Sequence, residues 1–145
     1  MQIVSPIDIE DALRIDLSAL YEALDITGVT FSAPPVEPTL GEIPTTGVLV
    51  CFKRVGGARG DLVVDTHAVS VDLYAPTWAE ATEEADRLAG VMTQLPYQAT
   101  TAIQYPMVEL ATTPYAAPDT SNPVMPRIRM LINVIVKAAV ESLPA

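Results

Sequence analysis

The sequence predicts an α/β protein of the α+β type, a single domain (1–145) whose mixed, mostly antiparallel β-sheet carries two main helices on one face. At 145 residues, 50% of them hydrophobic, the chain can form one substantial core. Two segments space their apolar residues as helices do, and several others alternate apolar and polar residues as strands do. Their order, helix, strands, helix, strands, is typical of a sheet covered on one side.

The first helix is predicted to begin at Ser5 and Pro6, since serine is a good N-cap and proline fits the first helical position. Gly28 is the expected C-terminal stop. Between them, apolar residues recur at intervals of three or four and define one buried stripe. These residues are Ile9, Leu13, Leu17, Leu20 and Leu24.

A hairpin is predicted in the first half of the sheet. After a short strand at Val29–Ser32, residues 33–47 form a proline-rich segment that is expected to be a long loop, because proline lacks a backbone donor. Val48–Val55 and Leu62–Tyr74 then pair across a glycine-rich turn, residues 56–61.

The second helix is predicted to follow Thr77, which forms a capping box with Glu80, and to end at Pro96. Its acids, Glu80, Glu83, Glu84 and Asp86, are interpreted as a solvated face. A strand near 103–111, a loop at 112–126 and a closing strand at 127–137 complete the sheet. The strand–helix–strand unit is expected to be right-handed, and 139–145 to be a flexible end.

Composition argues against several function classes. The formal net charge is −10, from 18 acids and 8 bases, and no polybasic run exists to clamp nucleic acid. One cysteine cannot form an intrachain disulfide, which suits a reducing compartment. No signal peptide is expected, and no apolar run approaches the ~20 residues of a membrane helix. These features predict a soluble protein made inside the cell.

Catalytic and ligand-binding motifs are weak. The loop Gly56–Asp61 lacks the Lys-Ser/Thr pair of a P-loop and precedes a strand, so no phosphate cradle is predicted. Its Arg-Gly-Asp tripeptide is too short to identify a receptor ligand. Asp65 and His67 share a strand face, which leaves a carboxylate–imidazole pair open, but no activated nucleophile or set of metal ligands accompanies them. No catalytic, cofactor-binding or metal residue is predicted.

One block of sequence carries a resemblance. The arginine- and glycine-bearing hairpin FKRVGGARGD leads into DTHAVSVDLYA and then into the capped helix TWAEATEEADRLAGVM. A loop of the type PDTSNPVMP precedes the closing strand RIRMLINVIVKA. In this order the chain, from about residue 5 to 138, resembles the tail terminator (tail completion) proteins of long-tailed bacteriophages.

The resemblance implies a structural virion protein that assembles as a ring, expected to be a hexamer, on the end of the tail tube. The ring would stop polymerisation of the major tail tube protein and join the tail to a neck or connector protein. Genomic DNA would pass through its lumen without sequence-specific binding. It implies no cofactor, no enzymatic activity and no membrane partner. The protein would assemble in the host cytoplasm and reside in the tail or neck of the virion.

Loops would supply the contacts in such a ring. The candidate interface residues are Arg54, Gly56, Gly57, Arg59, Gly60, Asp61, Pro118, Asp119, Asn122, Arg127 and Arg129. Two alternatives stay open on the sequence alone. One is a neck or head–tail connector protein of the same gene cassette, and the other is a small enzyme or ligand-binding domain using His67, Asp65 and Tyr74.

Overall fold

Seven strands, two α-helices and a short 3-10 helix form the part of the chain that a computed structural model describes, residues 2–5, 7–32, 46–59, 64–118, 126–137 and 139–142. In chain order they are β1 (Gln2–Ser5), α1 (Ile9–Ala23), β2 (Val29–Ser32), β3 (Val48–Arg59), β4 (Val64–Tyr74), α2 (Trp78–Thr93), the 3-10 helix (Leu95–Tyr97), β5 (Met107–Ala116), β6 (Arg127–Lys137) and β7 (Ala139–Ser142). No helix of the described residues is long and apolar enough to cross a membrane.

The main sheet has five strands in the order β2–β3–β4–β6–β5. Only β2 and β3 are parallel, and every other pair is antiparallel, which confirms the predicted mixed, mostly antiparallel sheet. Strands β4 and β5 both run antiparallel to β6 and are therefore parallel to each other. The predicted strand–helix–strand unit thus exists as β4–α2–β5 with β6 inserted, and its handedness stays a prediction.

Both helices pack on one face of this sheet and share one core, as predicted. The first helix lies on β2 and β3, and the second on β4, β5 and β6. Strict alternation on β6 sends five apolar side chains into this core, because successive residues of a strand point to opposite faces. They are Ile128, Met130, Ile132, Val134 and Val136, and none is more than 5% exposed.

The N-terminal prediction is wrong in its boundaries. Ser5 belongs to β1, which pairs with β7, and the N-cap of α1 is Asp8, whose carboxylate accepts a bond from the Asp11 N–H at 3.2 Å. The helix ends at Ala23, before Gly28, and Leu24 is 53% exposed. Residues 139–142, assigned to a flexible end, instead pair with β1 in an antiparallel ladder.

The ends of two strands also differ from the prediction. Strand β3 runs through the expected turn as far as Arg59, and β5 extends to Ala116, into the expected loop. Glu84, interpreted as solvated, is buried against the core face of α2 and pairs with Arg87. The proline-rich segment lies outside the described residues from 33 to 45.

A buried carboxylate ties the two halves of the fold together. Asp16 of α1 is 3% exposed, and its Oδ1 accepts the N–H groups of Thr101 and Ala102, each at 2.9 Å. Its Oδ2 accepts the Tyr105 hydroxyl at 2.7 Å and the Ile103 N–H at 3.4 Å. The segment between α2 and β5 is thereby fixed to α1, through one buried hydroxyl bond and three part-buried N–H bonds to the same carboxylate.

We expect Asp16→Ala to lower the free energy of unfolding by about 3 kcal/mol, since it leaves the buried Tyr105 hydroxyl without its acceptor and removes three part-buried N–H bonds at once. Asp11→Ala is the matched control, because Asp11 is half exposed and only pairs with Arg14 one turn away. It should cost about 1 kcal/mol at most. Denaturant unfolding of both variants checks this, and equal losses would contradict the structural role of Asp16.

Candidate assembly site

The hairpin β3–β4 extends beyond β2, and we call its outer part, Lys53–Arg59 with Val64–Ala68, the arm. Strand β2 pairs with β3 only as far as Ser32 opposite Cys51. Further out, no strand of the described residues pairs with that edge of β3, and every residue of Lys53–Arg59 is exposed. Among the described residues the arm therefore has no strand beside this edge, and an unpaired strand edge is a template for pairing with another chain.

Two glycines shape the arm. The register between β3 and β4 shifts between Arg54 and Gly56, which marks a β-bulge. Gly57 has a φ of 149°, and a Cβ there would lie 2.2 Å from the Thr66 carbonyl oxygen. Any side chain at 57 would force the two strands apart, so their close pairing requires glycine.

An ion pair joins the two strands of the arm. Arg59 and Asp65 are direct partners in the ladder, with Nε to Oδ1 at 2.7 Å and Nη2 to Oδ2 at 3.2 Å. The bond from the guanidinium lowers the pKa of Asp65, and the same bond raises the pKa of Arg59. The arginine of the Arg-Gly-Asp tripeptide therefore joins the two strands of the hairpin to which it belongs. Gly60 and Asp61 lie outside the described residues.

His67 is buried at the base of the arm with no exposed surface. Neither ring nitrogen has a hydrogen-bond partner among the described residues. Burial lowers the pKa of His67, the positive charge of Arg54 lowers it further, and Asp65 acts in the opposite direction. The imidazole is therefore neutral at physiological pH, and Asp65, which the sequence left open as its partner, is bonded to Arg59 instead.

Arg54 is the exposed cation where the arm leaves the body of the sheet. Its backbone N–H donates to Glu10 Oε1 of α1 at 3.3 Å, so a carboxylate takes the place that a neighbouring strand would occupy. Within the described residues its guanidinium forms no ion pair. It is available to an acidic partner.

The remaining predicted interface residues lie at the opposite end of the sheet. Arg127 donates to the Ala117 carbonyl at 2.5 Å and to the Pro118 carbonyl at 3.5 Å, which fastens β6 to the end of β5. Arg129 forms a two-pronged pair with Asp72, at 2.7 and 3.1 Å, and this bond raises its pKa. Both arginines therefore have structural partners.

The candidate residues do not converge on one site. Asp65 in the arm and Asp72 beside Arg129 are seven positions apart on β4, which is about 23 Å along a strand. Asp119 and Asn122 lie outside the described residues. Of the predicted set, the arm residues Arg54, Gly56, Gly57 and Arg59 form a continuous exposed feature.

The proposed catalytic trio is not assembled. His67 and Asp65 point to the helix-covered face, whereas Tyr74 is buried in a separate cluster with Leu49 on the other face. Burial, with the negative charge of Asp72, raises the pKa of the Cys51 thiol to about 12, so it stays protonated. No group of three or more His, Cys, Asp or Glu residues that could hold a metal exists in the described part of the chain.

A groove between the helices is a feature that sequence reasoning missed. It has a volume of about 350 Å³ and is mainly apolar. Its lining residues are Leu20 and Leu24 of α1, Arg87, Gly90 and Val91 of α2, and Gln94 and Gln98 beyond. Leu24 was the sequence feature that indicated this groove. It continues the apolar stripe beyond the end of α1, where the sheet no longer covers it.

Charges are segregated between the layers. Eight of the 18 acids lie on α1 and α2, whose two bases, Arg14 and Arg87, each pair with an acid one turn away. The other six bases lie on β3 and β6: Lys53, Arg54, Arg59, Arg127, Arg129 and Lys137. The helix layer is thus acidic and the sheet carries the cations.

The fold and these surfaces define a small α+β protein whose prominent features are an arm and a groove. No protein-family model and no curated protein sequence matches the chain. Its fold is similar to that of a chain in a solved structure described as the virion of native gene transfer agent (GTA) particle, with a TM-score of 0.53 and 18% sequence identity. The alignment covers 90% of this chain and 98% of that chain, so the shared fold spans both nearly completely.

We expect stability to fall as the pH drops below about 6.5, because His67 has a lowered pKa in the folded state and an ordinary one when unfolded. In that window the unfolded chain binds the extra proton, so stability rises with pH. His67→Leu should remove this slope without loss of stability at pH 7.5, since neither nitrogen has a partner to lose.

Denaturant unfolding of the wild type and of His67→Leu between pH 7.5 and 5.5 measures the difference. His67 is the only histidine, so no other imidazole titrates there. Parallel pH profiles for the two proteins would show that His67 keeps an ordinary pKa in the folded state.

Proposed function

We propose that this protein is a structural component of a virion and acts as a tail terminator. The observation that carries the proposal is the fold likeness to a virion chain over nearly the full length of both chains. This likeness agrees with the resemblance of the hairpin and capped helix to tail terminator proteins.

The surfaces of the described residues support an assembly role. The arm offers an open strand edge and an unpaired guanidinium, and both are features of a protein that binds other chains. The groove is apolar and open, which suits a segment of protein better than a charged metabolite. The buried polar groups Asp16, Asp65 and Glu84 are used to hold the fold together.

In this proposal, copies of the chain form a ring, a hexamer by the family resemblance, on the end of the tail tube. The ring stops addition of the tail tube protein and presents a surface to a neck or connector protein. It needs no cofactor. It forms in the host cytoplasm and stays in the tail or neck of the virion.

The charge of the chain suits a ring through which DNA passes. A net charge of −10 makes the protein repel the phosphate backbone on average, so DNA would slide past without lasting contacts. The same charge argues against a DNA-binding clamp.

The test is a mixture of the purified protein with the tail tube protein of the same virus while that protein polymerises. We expect short tubes with a ring at one end in negative-stain micrographs, because the ring blocks further addition. The control is Leu88→Asp, which places a charge at a fully buried position of α2 and unfolds the domain. If this unfolded control leaves tube length unchanged, shortening by the wild type is due to the folded protein at the tube end and not merely to the presence of an acidic chain.

Tubes that grow to normal length without a bound ring would overturn the terminator role. Capture of a portal-side protein in that case would identify a neck connector. Shortening of tubes by the unfolded control as well would show that the effect is non-specific.

A further inference from the structure

We propose that the two-stranded ribbon formed by β1 and β7 of one copy pairs along β2 of a second copy, so that the sheets of neighbouring subunits become continuous. The inference rests on the proposed function, because it names a contact by which the copies join into a ring. The ribbon and β2 are different parts of one chain, and heterologous contacts of this kind generate rings or filaments rather than closed two-fold dimers.

The ribbon is separate from the rest of the fold. Its strands pair antiparallel over four residues each, Gln2–Ser5 with Ala139–Ser142, in a sheet distinct from the main one. Among the described residues, neither strand packs extensively against a helix or against another strand. Two strands without a third strand or a helix beside them are marginally stable in water. Pairing with a further strand would therefore stabilise the ribbon itself.

The outer edge of β2 carries backbone groups that such a strand can use. The Gly28 carbonyl accepts a bond from the Val48 N–H at 2.8 Å, which directs the backbone of Gly28 towards β3. Successive residues of a strand direct their N–H and C=O groups to opposite sides, so those of Val29 and Phe31 point away from β3. No other strand of the described residues pairs with β2. An extended segment placed along this edge would bond to these groups.

The main sheet has two edges, and β2 is the one suited to pairing. The other edge strand, β5, contains Pro114 and an exposed Glu109, and its register with β6 is irregular at two places. Proline, charge and irregular register are features that protect an edge from further pairing. Strand β2 has no proline and no charged residue, and its register with β3 is regular. Its four residues, about 13 Å long, match the length of each ribbon strand.

The ribbon and β2 of one chain lie at opposite ends of α1. Strand β1 ends at Ser5, shortly before α1 begins at Ile9, and β2 begins at Val29, after α1 has ended at Ala23. The 15 residues of this helix separate the two by about 22 Å along its axis. Each copy can therefore use its ribbon for one neighbour while its β2 stays open for another.

The first experiment removes one bond from the edge of β2. Val29→Pro deletes an N–H that points away from β3, and proline is tolerated at the first residue of an edge strand, so the variant should fold. We expect its dissociation constant for self-association, measured by sedimentation, to rise about tenfold. Val29→Ala is the matched control, because it shortens the side chain but retains the N–H, and it should associate like the wild type.

The second experiment removes the ribbon. A chain that ends at residue 138 lacks β7 but retains the main sheet, whose strand β6 ends at Lys137. A chain that ends at Ser142 is the control, because it keeps β7. We expect the first chain to be monomeric and the second to associate like the full chain. Where Val29→Pro alone is monomeric, its mixture with the first chain should give a heterodimer and nothing larger, because one intact ribbon meets one intact β2 edge.

Hydrogen exchange reports whether the contact forms at the proposed edge. We expect the amide protons of Val29 and Phe31 to exchange more slowly as the concentration of the full chain rises, because association gives them hydrogen-bond partners. In the chain that ends at residue 138, their exchange should not depend on concentration.

Association of Val29→Pro or of the chain ending at residue 138 with wild-type affinity would overturn the proposal. Association that leaves exchange at Val29 and Phe31 unchanged would do the same, as would a full chain that is monomeric at the highest soluble concentration. Failure of the proposed function looks different. A protein that pairs ribbon to β2 yet leaves tube growth unchanged is no terminator, whereas one that caps tubes equally well without β7 is a terminator joined by another surface.

Discussion

The carboxylate of Asp16 is the interaction that links the first helix to the segment after the second. The first helix rests on β2 and β3 and the second on β4, β5 and β6, so the two helices cover different strands of the sheet. By accepting bonds from the segment that follows α2, Asp16 fixes that segment to α1. An apolar residue at 16 could pack in the core but would leave those donors unpaired.

Periodicity predicted most of the fold, because it reports which residues face the core. The alternation of β6 and the stripe of α2 were identified correctly for this reason. Element ends were predicted poorly, since they depend on partners distant in sequence. Ser5 is a good N-cap by composition, yet its segment pairs with β7, more than 130 residues away. Arg59 looked like part of a turn, but its pairing with Asp65 continues the strand.

The candidate site was predicted less well, because its residues act through geometry rather than through a motif. Arginines on one hairpin and on the closing strand were grouped as candidate interface residues, and the strand register places them at opposite ends of the sheet. Arg127 and Arg129 are held by a carbonyl and a carboxylate that the sequence could not match to them. The groove needs two helices, and neither helix alone indicates it. Only the excess length of the α1 stripe, ending in exposed Leu24, pointed to it.

The charge of the chain bears on how copies of the proposed terminator would associate. Chains of net charge −10 repel one another at long range, so free copies would associate weakly. In the role that we propose, copies gathered on the end of a tail tube would have a high effective concentration, which offsets this repulsion without any new contact.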